Sequence, residues 1–237
     1  KIAKTPVSHT NPFESYWNNR KPVAKIKYTG RLRPTDKAAY AIDVRNFIQP
    51  YDHEITDDLE KEGLVASVLP PYNEALQELA LAIYRHHQKK WLNYQLDDQS
   101  IGVPEYWSFP SEFRELLLSG KGEDCDDYSN SLASYLVAAG VPYWRVRVAA
   151  GMTFSGIGHA TVYVLGDDFK TWRHFNSTAP ASLIPDKFGE LPQSGNISDG
   201  MGIRHYWFSY NQKLAFQTFE SSVAEESFPK EKFEVMK

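Results

Sequence analysis

One cysteine, one histidine and one asparagine in this 237-residue chain have the types and spacing of a nucleophile, a base and a group that orients the base. Cys125 lies between acidic residues, immediately before an apolar pattern typical of a helix. A thiol at a helix N-terminus lies where the helix dipole and free backbone N–H groups favour its nucleophilic thiolate. The alternative is an inert buried cysteine. Four neighbouring acids argue against a purely apolar role, so the sequence predicts covalent catalysis by Cys125.

The acids beside Cys125 have three interpretations. Carboxylates at a helix start are common caps and interact favourably with the dipole. They also raise the pKa of a nearby thiol, and a cation such as an imidazolium then has to compensate. They could instead bind calcium through their oxygens. Because the spacing is not that of an EF-hand loop, capping is the preferred interpretation.

His159 and Asn176 are the candidates for the base and for the group that orients it. His159 follows a glycine-rich stretch and enters a predicted strand, while Asn176 ends the return strand of a hairpin that turns at Gly166. This hairpin brings Asn176 close to His159, where its side-chain oxygen could accept a hydrogen bond from the imidazole Nδ1–H. That is the orienting role in a Cys-His-Asn arrangement. His174 is expected to point to the opposite face of the sheet.

Helices followed by antiparallel strands would position these residues. Apolar residues at helical spacing predict helices over 73–91 (capped by Asn73), 112–118 and 125–139. Alternation predicts strands over 23–28, 144–148, 160–165, 171–176 and 206–219. This order gives an α+β fold. Residues 31–70 show no clear pattern, and the acidic patch within them is interpreted as a solvated face formed by Asp57, Asp58, Glu60 and Glu62.

We expect three parts along the chain. Residues 1–70 form an N-terminal arm and extension, in which residues 1–22 are an irregular lead-in marked by prolines. Residues 71–220 form a catalytic domain, and residues 221–237 form a polar C-terminal tail. Residues 1–70 and 179–237 are candidates for substrate choice or for attachment to a larger assembly.

Composition excludes several classes of protein. A hydrophobic content of 42% and a charged content of 24% are typical of globular proteins. The formal net charge is −4, whereas nucleic-acid-binding proteins typically carry a basic surface. A single cysteine excludes both a disulfide framework and a pair of zinc-binding thiols. We find neither a membrane-spanning apolar stretch nor the apolar run of a signal peptide, so the sequence does not identify the compartment.

Four stretches of the sequence match one known pattern in order. Residues 122–129, Gly-Glu-Asp-Cys-Asp-Asp-Tyr-Ser, are similar to Gly-Asp-Cys-Glu-Asp-(Tyr/Phe/Ser)-(Ala/Ser), with one extra residue after the glycine. Residues 106–112, Tyr-Trp-Ser-Phe-Pro-Ser-Glu, resemble a Tyr-Trp-x-x-Pro-x-Glu lead-in. Residues 158–162 resemble Gly-His-Ala-Trp-Val, and residues 172–178 resemble Trp-x-x-x-Asp-x-Thr. Together they resemble the transglutaminase-like superfamily of papain-fold enzymes, closest to the bacterial and phage transglutaminase-like cysteine proteinases.

The resemblance implies a papain-like or transglutaminase-like core. In it, Cys125 begins a helix packed on an antiparallel sheet that carries His159 and Asn176, and Asn176 stands where the family has aspartate. Trp107 would shape the site or lend its indole N–H to the oxyanion, with packing as the preferred role. Some members need calcium beside the cysteine, and Asp127 is the corresponding acid. No other cofactor is implied.

The leading hypothesis for function is a peptidase or amidase that cleaves a protein or peptide substrate through a thioester. The first alternative is a transglutaminase, in which the acyl group passes to an amine rather than to water. The second is a structural or assembly module, for example of a phage particle. A buried Cys125 far from His159 would favour this module, whereas a close pair at an open cleft would favour an enzyme. Neither nucleic acid nor a membrane is an expected partner.

Overall fold

A computed structural model describes residues 22–31, 40–66, 76–193, 202–217 and 222–236, which form an α+β fold. Its helices are α1 (His53–Lys61), α2 (Leu76–Trp91), α3 (Asp97–Ser100), α4 (Pro110–Leu118), α5 (Cys125–Ala138) and α6 (Ser222–Glu226). Its strands are β1 (Pro22–Val23), β2 (Lys25–Arg31), β3 (Tyr40–Asp43), β4 (Val146–Thr153), β5 (Gly158–Leu165), β6 (Trp172–Phe175), β7 (Ile203–Tyr210), β8 (Ala215–Gln217) and β9 (Phe233–Met236). Residues 1–21 of the predicted lead-in at 1–22 lie outside the described residues, as does the predicted cap Asn73.

The larger sheet has six antiparallel strands in the order β1-β8-β7-β4-β5-β6. The predicted hairpin is β5–β6, in which Leu165 pairs with Trp172. Helix α5 packs on β4 and β5, and its Leu132 and Leu136 are fully buried in a core shared with these strands. This packing fixes the N-terminus of α5 beside the start of β5.

The single strand predicted over 206–219 is instead the hairpin β7–β8. Asn211 makes the turn, because its side-chain oxygen accepts hydrogen bonds from the backbone N–H groups of Lys213 (2.9 Å) and Leu214 (2.8 Å). An Asx turn of this kind reverses the chain without a glycine.

The smaller sheet joins the two ends of the described chain in the order β3-β2-β9. Strand β9 belongs to the part expected to be a polar tail, and Tyr28 of β2 pairs with Phe233 of β9. Within this predicted polar tail, apolar Phe233 and Val235 alternate with polar neighbours and turn toward the core.

The acidic patch within residues 31–70 was only partly interpreted correctly. It lies on α1, an element that the sequence did not predict, and Asp57, Glu60 and Glu62 are exposed. Asp58 is buried instead and accepts hydrogen bonds from three side chains, those of His86, Lys90 and Tyr135. These three donors compensate for its lost hydration. Within the described part of the chain, none of the helices has the length and apolar character needed to cross a membrane.

Candidate active site

Cys125 is the first residue of α5, and Asp124 caps the helix in an extended conformation. The side chain is partly buried, and its Sγ accepts a hydrogen bond from the backbone N–H of Ala160 at 3.4 Å. The first backbone N–H groups of a helix have no partners within the helix, and Cys125 lies at this end of α5. The nucleophile candidate therefore lies against the start of β5.

His159 precedes Ala160 on β5, where it pairs with Gly151 of β4. Its side chain is mostly buried, and it lines the same cavity as Cys125, a cleft of about 290 Å³. The structure thus brings these two predicted residues to one cavity. The other walls of this cavity, which the sequence did not predict, include Tyr94, Leu96, Glu105, Trp207, Lys232 and Phe233.

Asn176 lies one residue beyond β6 and lines a different cavity, of about 490 Å³. Its side-chain oxygen accepts hydrogen bonds from the backbone N–H (3.2 Å) and the hydroxyl (2.9 Å) of Thr178. The orienting role of Asn176 stays a prediction. His174 lines this second cavity as well, so the expectation that it faces away from Asn176 was wrong: residues two apart along a strand share a face.

Ser177 connects the end of β6 to the helix that carries the thiol. Its hydroxyl lies 2.8 Å from the Ser129 hydroxyl and donates to the carbonyl of Cys125 at 3.5 Å. Ser129 donates to the same carbonyl at 2.6 Å. The segment after β6 therefore contacts the first turn of α5.

Trp107 lines the cavity and is deeply buried. Its indole ring stacks on Tyr28, with ring centroids 5.2 Å apart, and packs edge-on against Phe233 at 5.3 Å. Its indole N–H donates to Glu105 Oε1 at 3.0 Å. This donor is therefore directed at a carboxylate, and the ring contributes to the packing beneath the cleft.

Acidic side chains dominate the surroundings of the thiol. Glu105, Asp124 and Asp126 line the cavity with Cys125, whereas the cation Lys232 is paired with Glu105 at 2.8 Å. Burial and the charges of Asp124 and Glu105 raise the pKa of Cys125 well above its ordinary value. Burial and these carboxylates therefore oppose the thiolate form of Cys125.

A second group of carboxylates lies beneath the first turn of α5. Asp97, Glu123 and Asp127 are almost completely buried, and one oxygen from each lies within 4.8 Å of the others. Asp97 Oδ2 accepts from the backbone N–H of Tyr106, and Asp127 Oδ1 accepts from that of Ser108 at 2.5 Å. The second oxygens of Asp97 and Asp127 are buried and have no hydrogen-bond partner among the described residues.

These carboxylates have the donor set that calcium prefers. Calcium binds oxygen ligands at about 2.3–2.6 Å, so two ligands of one ion lie at most about 5 Å apart. The other group of possible metal ligands, Asp124, Cys125 and Asp126, includes the thiol and is a poorer match for a hard cation. Asp127 was the calcium candidate from the sequence. Asp97 was missed, because it lies far upstream and no local motif marks it.

Comparisons with known proteins give similarity in structure but not in sequence. No protein-family model matches the chain, and no curated protein matches it. A structure of LapG from Legionella pneumophila is 16% identical and covers 77% of this chain and 90% of LapG, with a TM-score of 0.44. The calcium-bound form of LapG is 20% identical, covers 72% and 80%, and has a TM-score of 0.40. The EGTA-treated form is 18% identical, covers 77% and 94%, and has a TM-score of 0.43. Similarity at this level does not identify a function.

Proposed function

We propose that this chain is a cysteine acyl-transfer enzyme of the transglutaminase-like superfamily, acting as a peptidase or amidase on a protein or peptide substrate. One observation carries the proposal: Cys125, at the start of a helix, and His159 line the same cleft. Covalent catalysis needs a nucleophile, a base within reach and space for the acyl group. A thiol and an imidazole on the walls of one cleft support these requirements.

The proposed reaction has two halves. Cys125 Sγ bonds to the carbonyl carbon of the substrate, the thiol proton passes to His159, and the C=O electron pair moves onto oxygen. Backbone N–H groups in the first turn of α5 stabilise this oxyanion. When the C=O bond re-forms, the C–N bond breaks, and His159 returns the proton to the amine. Water, deprotonated by His159, then converts the thioester into a carboxylic acid and a free thiol.

We assign Asn176 the orienting role in this scheme. To take it, the Asn176 side chain has to exchange a hydrogen bond with Thr178 for one with the imidazole. An amide holds the ring in place without adding charge to a site that is already acidic.

Transfer to an amine and a purely structural role are the alternatives. A transglutaminase would form the same thioester, so only the acceptor separates it from a peptidase. A structural or assembly module has no need for a thiol and a histidine in one cleft.

Alkylation tests whether Cys125 and His159 act as a pair. We expect iodoacetamide to modify wild-type Cys125 at pH 7.5 at least about tenfold faster than it modifies the His159→Ala variant, because a paired base increases the thiolate fraction. The matched control is His53→Ala, which removes an exposed histidine. Equal rates in wild type and His159→Ala would contradict the proposal.

A second experiment identifies the acceptor. Wild type and Cys125→Ala are incubated with a proteome-derived peptide library, with and without a biotinylated primary amine. New peptide termini that require Cys125 support hydrolysis, whereas biotin incorporation that requires Cys125 supports the transglutaminase. The absence of both products would leave the assembly module as the better proposal.

Calcium at Asp97, Glu123 and Asp127 is part of the proposal. The two oxygens without partners and the short separations of the ligand atoms support a cation there. When bound, calcium supplies positive charge next to the helix turn that carries Cys125 and so favours its thiolate.

A further inference from the structure

We infer that Tyr94 is a further catalytic residue, whose phenol O–H donates a hydrogen bond to the oxyanion formed when Cys125 attacks a carbonyl. This inference rests on the proposed function and adds a residue to it. An oxyanion in a cysteine enzyme is commonly held by two donors from different parts of the chain. The first turn of α5 supplies backbone N–H groups from one side, and Tyr94 faces the same cleft.

The other side-chain donors on the cavity wall have different partners. The donors are Tyr94, Trp107, His159, Trp207 and Lys232. Trp107 and Lys232 both bind Glu105, and the Trp207 indole N–H donates to the Ser227 hydroxyl at 2.9 Å. His159 is the proton acceptor of the proposed reaction.

Tyr94 differs from these donors. Its side chain is 46% exposed, and its hydroxyl has no hydrogen-bond partner among the described residues. A phenol O–H is protonated at neutral pH and can therefore donate a hydrogen bond, as this role requires.

Backbone contacts fix Tyr94 near the nucleophile. Tyr94 forms a parallel bridge with Glu123, two residues before Cys125. Gln95 N–H donates to the Glu123 carbonyl at 3.0 Å, and Glu123 N–H donates to the Asn93 carbonyl at 3.3 Å. The segment that carries Tyr94 is thus paired with the segment that leads into α5.

Gly122 makes this close pairing feasible. A Cβ atom at Gly122 would lie 2.4 Å from the Asn93 carbonyl oxygen, well inside van der Waals contact. The Gly122 N–H also donates to Gln95 Oε1 at 2.9 Å. The glycine that opens the Cys125 motif is therefore required for the approach of the Tyr94 segment.

Two reactions of the same thiol separate a role in oxyanion binding from a structural role. p-Nitrophenyl acetate acetylates Cys125 through a tetrahedral oxyanion. Iodoacetamide alkylates it by displacement at a saturated carbon and forms no oxyanion. We expect Tyr94→Phe to lower the acetylation rate by about 100-fold, the effect of losing one oxyanion donor. Alkylation should stay within about twofold of wild type, because the thiol and His159 are unchanged.

The controls make each outcome decisive. Tyr51→Phe removes a hydroxyl from a highly exposed tyrosine and should leave both rates unchanged, and Cys125→Ala reports background ester hydrolysis. Unchanged acetylation in Tyr94→Phe, or equal losses in both reactions, would overturn the role of Tyr94 while leaving the proposed function intact. If wild type shows no acetylation that depends on Cys125, the proposed function fails and this inference fails with it.

Discussion

Replacing Asp97 with asparagine should raise stability without calcium and remove the stabilising effect of calcium. Burial, together with the charges of Asp124 and Glu123, raises the pKa of Asp97 from 3.8 to about 9. The folded protein therefore binds this proton more tightly than the unfolded chain does. The resulting stabilisation is complete below pH 3.8 and is lost as the pH rises toward 9, by about 1.4 kcal/mol per pH unit.

The loss of stability at neutral pH can be calculated from this slope. At pH 7, about 3 units above 3.8, the loss amounts to about 4 kcal/mol. Asparagine resembles the protonated carboxyl and carries no such cost. It can keep the hydrogen bond from the Tyr106 N–H and donate to Glu123 or Asp127. In EGTA, Asp97→Asn should therefore be more stable than wild type by up to about 4 kcal/mol.

Calcium should stabilise wild type more than it stabilises Asp97→Asn. An ion present at 100 times its Kd stabilises a protein by about 2.7 kcal/mol. For a chain of this size, that raises the Tm of wild type by about 5–11 °C. Asp97→Asn lacks one carboxylate ligand, so calcium should raise its Tm by much less. Urea unfolding and thermal unfolding, each in EGTA and in calcium, measure both effects.

A matched control is available next to the site. Asp98 is exposed, and Asp98→Asn removes the same charge outside the cluster, so it should behave like wild type in both buffers. If Asp97→Asn is less stable than wild type in EGTA, burial and the neighbouring charges do not raise the pKa of Asp97. If its Tm rises with calcium as much as that of wild type, Asp97 is not a ligand.

Two further predictions concern elements around the site. Gly122→Ala should lower the free energy of unfolding in urea by about 1–3 kcal/mol, because the added Cβ overlaps with the Asn93 carbonyl. Gly189→Ala, with open space around its Cβ, should lower it by less than about 0.5 kcal/mol. Equal losses in the two variants would contradict this account of Gly122. Burial lowers the pKa of His87 from 6.5 to about 3, so the folded protein resists protonation and loses about 1.4 kcal/mol per pH unit as the pH falls below 6.5. His87→Gln should reduce this slope between pH 6 and pH 5, and His53→Gln, at an exposed histidine, should not; unchanged slopes in both variants would show that His87 does not govern the acid response.

Local patterns predicted the elements that carry Cys125 and His159. Helix α5 and the β5–β6 hairpin each depend on apolar spacing within a short stretch, and periodicity reports such spacing directly. The pairing of β2 with β9 could not be predicted, because its partners lie about 200 residues apart and short strands with few apolar residues carry a weak signal. Helix α1 was missed for a related reason: Ile55 and Leu59 are its only fully buried apolar residues, and acids fill most of the rest.

The candidate site could be predicted only as far as its sequence motifs reach. Cys125 and His159 stand in recognisable stretches, and each helps to form the cleft. Tyr94 and Asp97 stand in no motif, and they approach the thiol only because residues 93–95 pair with residues 121–123. Asn176 was chosen by its distance along a hairpin, which fixes its place in the chain but not the direction of its amide.

The acids around Cys125 make the reactivity of the thiol conditional. A helix N-terminus alone would favour the thiolate, yet burial, Asp124 and Glu105 raise the pKa of Cys125. Lys232 is already paired with Glu105, so it only partly offsets this charge. Glu123 and Asp127 lie two residues before and after Cys125, so an ion that they bind cannot be electrostatically independent of the thiol. In the proposed calcium-bound form, the cation would offset the charge of Asp127, one of the carboxylates that raise the pKa of Cys125.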